Sequence, residues 1–291
     1  MHIYQRMLCC MLSAIILVLC GCQNRNDTAE SLLPEVTGNF DFTILKIGQA
    51  DAMILRTANH SVIIDCGEED DGNEILEYLQ TNGIKTVDYL FITHFDKDHV
   101  GGAAKVIENV NIKNIITPDY EGTNAEFESY HASAKQENIT PTLLTENMSF
   151  TLDDVLLEIF PPLKKAYKEG DNDFSLAIAA THGENTFLFA GDAEEERLTE
   201  IMSQTGKEYD FLKIPHHGRY SKKTKAFIET VKPSYAVITC SKKNPAEEET
   251  VSVLENEKCN IYYTKDGDVN VTSDGYKIEI TQLDDCKINK N

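Results

Sequence analysis

The densest chemical signal in the chain is Thr93-His94-Phe95-Asp96-Lys97-Asp98-His99-Val100-Gly101-Gly102. His94, Asp96, Asp98 and His99 place four potential metal ligands within six residues, directly after an apolar run. Imidazole and carboxylate together suit Zn²⁺, Mn²⁺ or Fe²⁺; Ca²⁺ and Mg²⁺ prefer shells made only of oxygen. Ligands at this spacing cannot share one face of a strand. They can converge in a loop that turns into a helix, and the following glycine pair lets the backbone pack close behind them.

Three more segments carry compatible residue types. Ala190-Gly191-Asp192-Ala193 puts a carboxylate between an apolar run and a helix start, where it can bridge two cations or simply cap the helix. Pro215-His216-His217-Gly218 offers adjacent imidazoles for ligation or proton transfer. Ile64-Asp65-Cys66-Gly67 ends an early apolar run, and Asp65 could orient a ligand from behind. His60, His131 and His182 read as ordinary polar residues of turns or a helix face. Arg219, Lys222, Lys223 and Lys225 form a basic cluster after the histidine pair. It reads equally as a guide for phosphate or as a solvated helix face.

The elements that must hold these segments alternate. Strands are predicted over 41–47, 52–56 and 61–65, a helix over 73–81 with Asn73 as its cap, and a doubly buried strand over 87–93. Helices over 100–108 and 126–137 flank a short strand at 114–117. The second half repeats the habit. Strands are predicted at 155–160, 175–180, 186–190, 211–214 and 235–239, with helices at 193–202, 222–230 and 246–255. Strands at 260–263, 269–272 and 277–281 close the chain. Two strand-rich halves with helices outside predict an α/β fold, a four-layer αββα sandwich.

Residues 1–7 carry one Arg and no acid, and 8–19 are apolar, which reads as a secretory signal. Leu19-Cys20-Gly21-Cys22 resembles a bacterial lipobox, implying cleavage after residue 21 and a lipid on Cys22. The polar stretch 22–39 reads as a tether and 40–291 as a single domain, held extracytoplasmically at the outer face of the membrane. The net charge of −21 disfavours broad coating of nucleic acid or anionic membrane, although bound cations can invert the local field. Of the four remaining cysteines, Cys66, Cys240, Cys259 and Cys286, the last two form the expected disulfide; four buried free thiols are an equal reading.

In order and spacing, these segments resemble the metallo-β-lactamase fold superfamily. Ile47-Gly48-Gln49-Ala50-Asp51-Ala52 is similar to a VGQGDA opening, Asn172-Asp173-Phe174-Ser175-Leu176 to an NxxSLVL segment, and LKIPHHG at 212–218 to LKVxHHG. The set, covering about residues 40–282, resembles the soluble domain of ComEC-type DNA-uptake proteins. The resemblance implies two divalent ions, Zn or Mn. His94 and Asp96 would hold one, Asp98 and His99 the other, Asp192 would bridge, and one of His216 and His217, His216 by preference, would complete the second ion's shell. Asp98 would also orient the nucleophile, and His217 would protonate the leaving group. Asn172 and Ser175 would contact substrate or ligands, with Asp65 behind them.

Two features depart from the family pattern. Asp96 stands where the commoner H-x-H-x-D-H motif has its middle His, which hardens that site. The stretch 241–250 keeps Asn244 and Pro245 but lacks the late His. The resulting expectation is a lipid-anchored binuclear phosphodiesterase or nuclease, with DNA as a candidate substrate and a membrane channel as a candidate partner. Hydrolysis of a wall phosphodiester, lactone or β-lactam, and a non-catalytic binding role, remain as alternatives.

Overall fold

The computed structural model describes residues 34–168 and 170–282. The expected signal, Cys22 and Cys286 lie outside the described residues. The first half runs β1 (Phe40–Ile44), β2 (Met53–Arg56), β3 (Ser61–Ile64), α1 (Gly72–Thr81), β4 (Thr86–Val87), β5 (Tyr89–Phe91), α2 (Lys97–Val100), α3 (Ala103–Asn109), β6 (Asn111–Ile112), β7 (Ile115–Pro118), α4 (Ala125–Gln136) and β8 (Thr142–Leu144). The second runs β9 (Met148–Leu152), β10 (Val155–Phe160), β11 (Ala177–His182), β12 (Asn185–Phe189), α5 (Glu195–Thr205), β13 (Phe211–Lys213), α6 (Thr224–Val231), β14 (Tyr235–Ile238), α7 (Glu248–Asn256), β15 (Asn260–Tyr263), β16 (Val269–Ser273) and β17 (Ile278–Gln282).

One sheet has the order β17-β16-β1-β2-β3-β5-β7-β8 and the other β15-β14-β13-β12-β11-β10-β9. The period-two alternation of each strand sorts side chains between layers. Phe40, Phe42 and Ile44 of β1 meet Phe187, Phe189 and Phe211 in the core between the sheets. There Phe42 packs edge-on against Phe211, with ring centroids 5.0 Å apart. The opposite faces are covered too. Ile54, Ile63 and Leu90 lie under Ile75, Leu79 and Val106 of the first helical layer, and Leu188, Leu212 and Ala236 under Leu198, Phe227 and Ile228 of the second. Double coverage explains the continuous apolar runs and makes the fold the expected αββα sandwich.

Several local expectations shift. The strand read over 87–93 divides at Asp88, whose carboxylate accepts from the Ser61 amide at 3.0 Å and the Lys113 ammonium at 2.6 Å. Thr86–Val87 therefore pairs with Asn111–Ile112, while Tyr89–Phe91 joins the main sheet. The helix read over 100–108 breaks at Gly101-Gly102. A Cβ on Gly102 would come within 2.3 Å of the Cys66 carbonyl oxygen, and one on Gly101 within 2.7 Å of the Glu69 amide. These glycines let the helices sit against the 66–69 backbone, as the motif implied. The N-cap position of α1 falls to Asp71, not Asn73, and Asp71 turns its carboxylate back to the Glu68 amide at 2.8 Å instead of capping the helix. β8 and β9 are edge strands whose half-exposed residues give a weak apolar signal, so the sequence pattern does not predict them. His182 is not in a turn. It ends β11, fully buried, with Nδ1 2.8 Å from Ser273 Oγ.

Candidate metal centre

The parallel strands β3 and β5 of one sheet, and β12, β13 and β14 of the other, release their chemistry from their carboxyl ends. Asp65 follows β3, His94 follows β5, Asp192 follows β12, the histidine pair follows β13 and Thr239 follows β14. Ser175 lies just before β11, which runs antiparallel to β12. All of these residues therefore reach the same end of the sandwich.

Three imidazoles are held from behind. His99 Nδ1 lies 2.8 Å from Asp65 Oδ2, an oxygen that can only accept, so Nδ1 carries a proton and donates. Asp65 also accepts from the amide and hydroxyl of Thr93, both at 2.7 Å. His94 Nδ1 sits 3.1 Å from Thr93 Oγ1 and 3.4 Å from Ser175 Oγ. His217 Nδ1 sits 3.0 Å from Thr239 Oγ1 and 3.5 Å from Asp51 Oδ1. With Nδ1 engaged in each ring, the Nε2 atoms of His94, His99 and His217 face inward, buried and in no hydrogen-bonding geometry. Around them stand carboxylate oxygens. Asp192 Oδ2 is 3.3 Å from His99 Nε2 and 3.0 Å from His217 Nε2. Asp98 Oδ2 is 3.4 Å from His217 Nε2, and Asp96 Oδ2 is 3.6 Å from His94 Nε2.

Orphaned, inward-facing imidazole nitrogens among carboxylates fit divalent cations. The groups His94–His99–Asp192 and Asp98–His99–His217 each bring one ligand atom per residue within 4.8 Å of the others. Without cations the cluster keeps protons. Burial lowers the His217 pKa, but Asp192, Asp98 and Asp51 outweigh it and push it up to about 9. His99 is likewise raised by Asp192 and Asp65 against its burial. Burial would raise Asp98 and Asp192, yet the facing imidazoles, with Lys213 at Asp192, hold both far below the usual carboxylate range.

The geometry separates the two adjacent histidines. His216 and His217 both adopt left-handed backbone, φ 47° and 53°, which sends adjacent side chains apart. His217 enters the cluster. His216 turns away, its Nδ1 2.7 Å from Glu194 Oε1, which also accepts from Asn172 Nδ2 at 3.0 Å. His216 therefore belongs to none of the cluster groups among the described residues, whereas His217 joins Asp98 and His99 in one of them. Asn172 donates to Glu194, the partner of His216 outside the cluster, whereas Ser175 touches the cluster directly: its Oγ accepts from the Asp192 amide at 3.0 Å. Gly191 makes that approach available, since a Cβ there would stand 2.7 Å from Ser175 Oγ.

Other participants were not singled out from sequence. Asp51 and Lys213 are fully buried at the centre, and Nζ of Lys213 pairs with Asp51 Oδ2. Arg197, also fully buried, donates from Nε to the Ser175 carbonyl at 2.8 Å and from Nη2 to the Phe160 carbonyl at 2.6 Å. Asp173 accepts from the Glu194 amide at the start of α5, so the Asn172–Ser175 stretch is tied to that helix by three residues. The only sequence signal for these would have been charged residues set inside apolar surroundings. Cys66 lies in the core beneath the first helical layer, with burial pushing its thiol up. Cys240 and Cys259 are also free thiols. In the stretch lacking the late His, Glu247 accepts from the Tyr220 amide at 3.0 Å, and no glutamate of 247–249 joins a cluster group among the described residues.

Comparison with known proteins finds relatives by sequence and by fold. Residues 45–241 match the metallo-beta-lactamase superfamily. "Recombination protein 2" of Haemophilus influenzae is 27% identical over 216 residues, 72% of this chain and 25% of its own length. "ComE operon protein 3" of Bacillus subtilis is 24% identical over 232 residues, 73% of this chain and 30% of its own length. The chain thus spans under a third of these relatives. Among solved structures, the metallo-beta-lactamase fold protein YhfI from Bacillus subtilis superposes with a TM-score of 0.53 at 8% identity, covering 83% of this chain and all of YhfI. Igni18, a metallo hydrolase from Ignicoccus hospitalis, gives 0.51 at 13% identity, covering 84% and 99%. By sequence match and by fold, the chain belongs to the metallo-β-lactamase superfamily.

Proposed function

We infer that this protein is an extracytoplasmic, lipid-anchored metallohydrolase with two divalent ions, acting on phosphodiester bonds, with DNA the foremost candidate. The observation that carries the reading is the convergence of three buried, unpartnered imidazole Nε2 atoms on the carboxylates of Asp98 and Asp192. Asp98, His99 and His217 would hold one ion, His94 and Asp96 the other, and Asp192 would stand between them. Bound ions of this kind supply Lewis acidity and lower the pKa of water. The names of the relatives, which point to recombination and competence, support a nucleic-acid substrate.

The chain's own residues supply positioning and proton transfer. Asp65 fixes the tautomer of His99, and Ser175 orients both His94 and the Asp192 backbone. His216 takes the proton-donor role. Glu194 accepts from its Nδ1 and so supports the doubly protonated ring, whose Nε2 proton would pass to a leaving oxygen, the ring returning to its neutral Nδ1–H form. A cavity of about 230 Å³, lined by His216, Glu194, Arg219, Tyr220 and Phe227, adjoins this residue and would take the group beside the scissile bond. Within the basic cluster, Lys222 pairs with Glu195 and Lys225 with Glu229; Arg219 and Lys223 have no ion pair among the described residues, and of these two Arg219 lines the cavity beside His216. Arg219 is therefore the residue left to meet a phosphate.

The test is metal content by elemental analysis together with hydrolysis of bis-(p-nitrophenyl) phosphate and of single-stranded DNA, comparing wild type with Asp192→Ala. Bound metal and turnover in wild type, both lost in the variant, would support the reading. Metal without cleavage of either substrate would reject the phosphodiester assignment, and a protein that takes up neither Zn²⁺ nor Mn²⁺ would reject the metallohydrolase.

A further inference from the structure

Lys213 is an anomaly in a cation-binding cluster. It is a fully buried ammonium among carboxylates that are supposed to attract metal. Three oxygens surround its Nζ: Asp51 Oδ2, Asp192 Oδ1 at 3.5 Å and the Gly191 carbonyl at 3.3 Å. Two carboxylates and a carbonyl are the oxygen set a hard divalent cation takes. The two oxygens of Asp192 are thereby divided: Oδ1 faces Lys213, while Oδ2 faces His99 and His217.

The charge count points the same way. Asp51, Asp65, Asp96, Asp98 and Asp192 bring five negative charges to the cluster. Two divalent ions leave one of them uncompensated, and the ammonium of Lys213 supplies the balance with the imidazoles neutral. Buried charges persist only when compensated in this manner.

We propose that Lys213 is a positioning residue that stands in for a further cation: it occupies the oxygen site between Asp51 and Asp192, restricts Asp192 to offering Oδ2 alone, and so limits how many divalent ions the cluster takes. This rests on the two-metal reading above. Removing the ammonium would vacate an oxygen-lined site while leaving its two carboxylates in place. A hard ion such as Mn²⁺ should then enter.

The experiment measures Mn²⁺ per chain by equilibrium dialysis at saturation, on the full chain, for wild type, Lys213→Met and Lys213→Met/Asp51→Asn. The expected result is one additional ion in Lys213→Met and a return to the wild-type count in the double variant, where one carboxylate of the vacated site is gone. A purely structural lysine would change stability but not the count. Should Lys213→Met fail to fold, Lys213→Gln, which can still donate to the Gly191 carbonyl, replaces it with the same expected gain. A folded variant with the wild-type count overturns the proposal, as does an additional ion that persists in the double variant. A wild-type chain that binds no Mn²⁺ at all instead overturns the two-metal reading on which the proposal rests.

Discussion

Metal binding should be strongly pH-dependent, with a slope that identifies which histidine of the adjacent pair enters the cluster. In the cation-free protein the Asp192, Asp98 and Asp51 carboxylates push the His217 pKa up to about 9. At pH 7 that imidazole is protonated about a hundredfold in excess, and a ligand nitrogen must lose its proton before it binds metal. Apparent affinity should therefore rise about tenfold per pH unit between pH 6.5 and 8.5 from His217 alone. His99, also raised, adds to the slope. The assay is competition against a fluorescent Zn²⁺ chelator at pH 6.5, 7.5 and 8.5, corrected for the chelator's own protonation. His217→Ala should reduce the slope by one proton, and His216→Ala should leave it unchanged.

The same shift has a consequence for stability. Because the folded pKa lies above the ordinary 6.5, the charged His217 stabilises the cation-free fold fully below pH 6.5. That contribution, about 3 kcal/mol, is lost as pH rises through 9. Urea denaturation in a chelator should thus show stability falling between pH 6.5 and 9, and saturating Zn²⁺ should reverse the trend. A pH-independent affinity, or an equal slope in the two single-histidine variants, would refute the placement of His217.

His216→Ala should lower kcat by about 10²–10⁴ with metal content unchanged, measured on a phosphodiester with a poor leaving group; Glu194→Gln should cost less, because it changes only the partner of the ring's Nδ1. Arg197→Met should destabilise the fold by about 3–5 kcal/mol in urea denaturation, because it removes the cation paired with the buried carboxylate of Glu200 and releases the Ser175 carbonyl. Gly102→Ala should destabilise by about 1–3 kcal/mol or more in the same measurement, since the clash is with backbone at Cys66, which cannot yield as a side chain could. Arg219→Ala should raise KM for single-stranded DNA while leaving bis-(p-nitrophenyl) phosphate turnover unchanged, because only the polymer carries a neighbouring phosphate; equal loss on both would reject Arg219 as the contact to that phosphate.

What could be read from sequence divides along a physical line. The sandwich was legible because both sheets are covered on both faces, which writes long apolar runs into β3, β5, β11 and β12. The ligand-rich loop at 94–99 was legible because its residues are contiguous. Edge strands β8 and β9 were not, since partial exposure removes the apolar signal. Nor could spacing decide between His216 and His217. That choice is made by two successive left-handed residues, a backbone state that adjacent histidines do not announce. Asp51 and Lys213 were hidden for a different reason. They lie more than a hundred and fifty residues apart, each in an apolar stretch where one charged residue reads as an isolated exception. Only their pairing makes either burial tolerable, and pairing is a property of the folded arrangement. A buried charge inside a predicted strand or its flanking turn is thus itself information. It requires an opposite charge elsewhere in the chain, and in this fold both members of the pair lie at the strand ends where the other ligands gather.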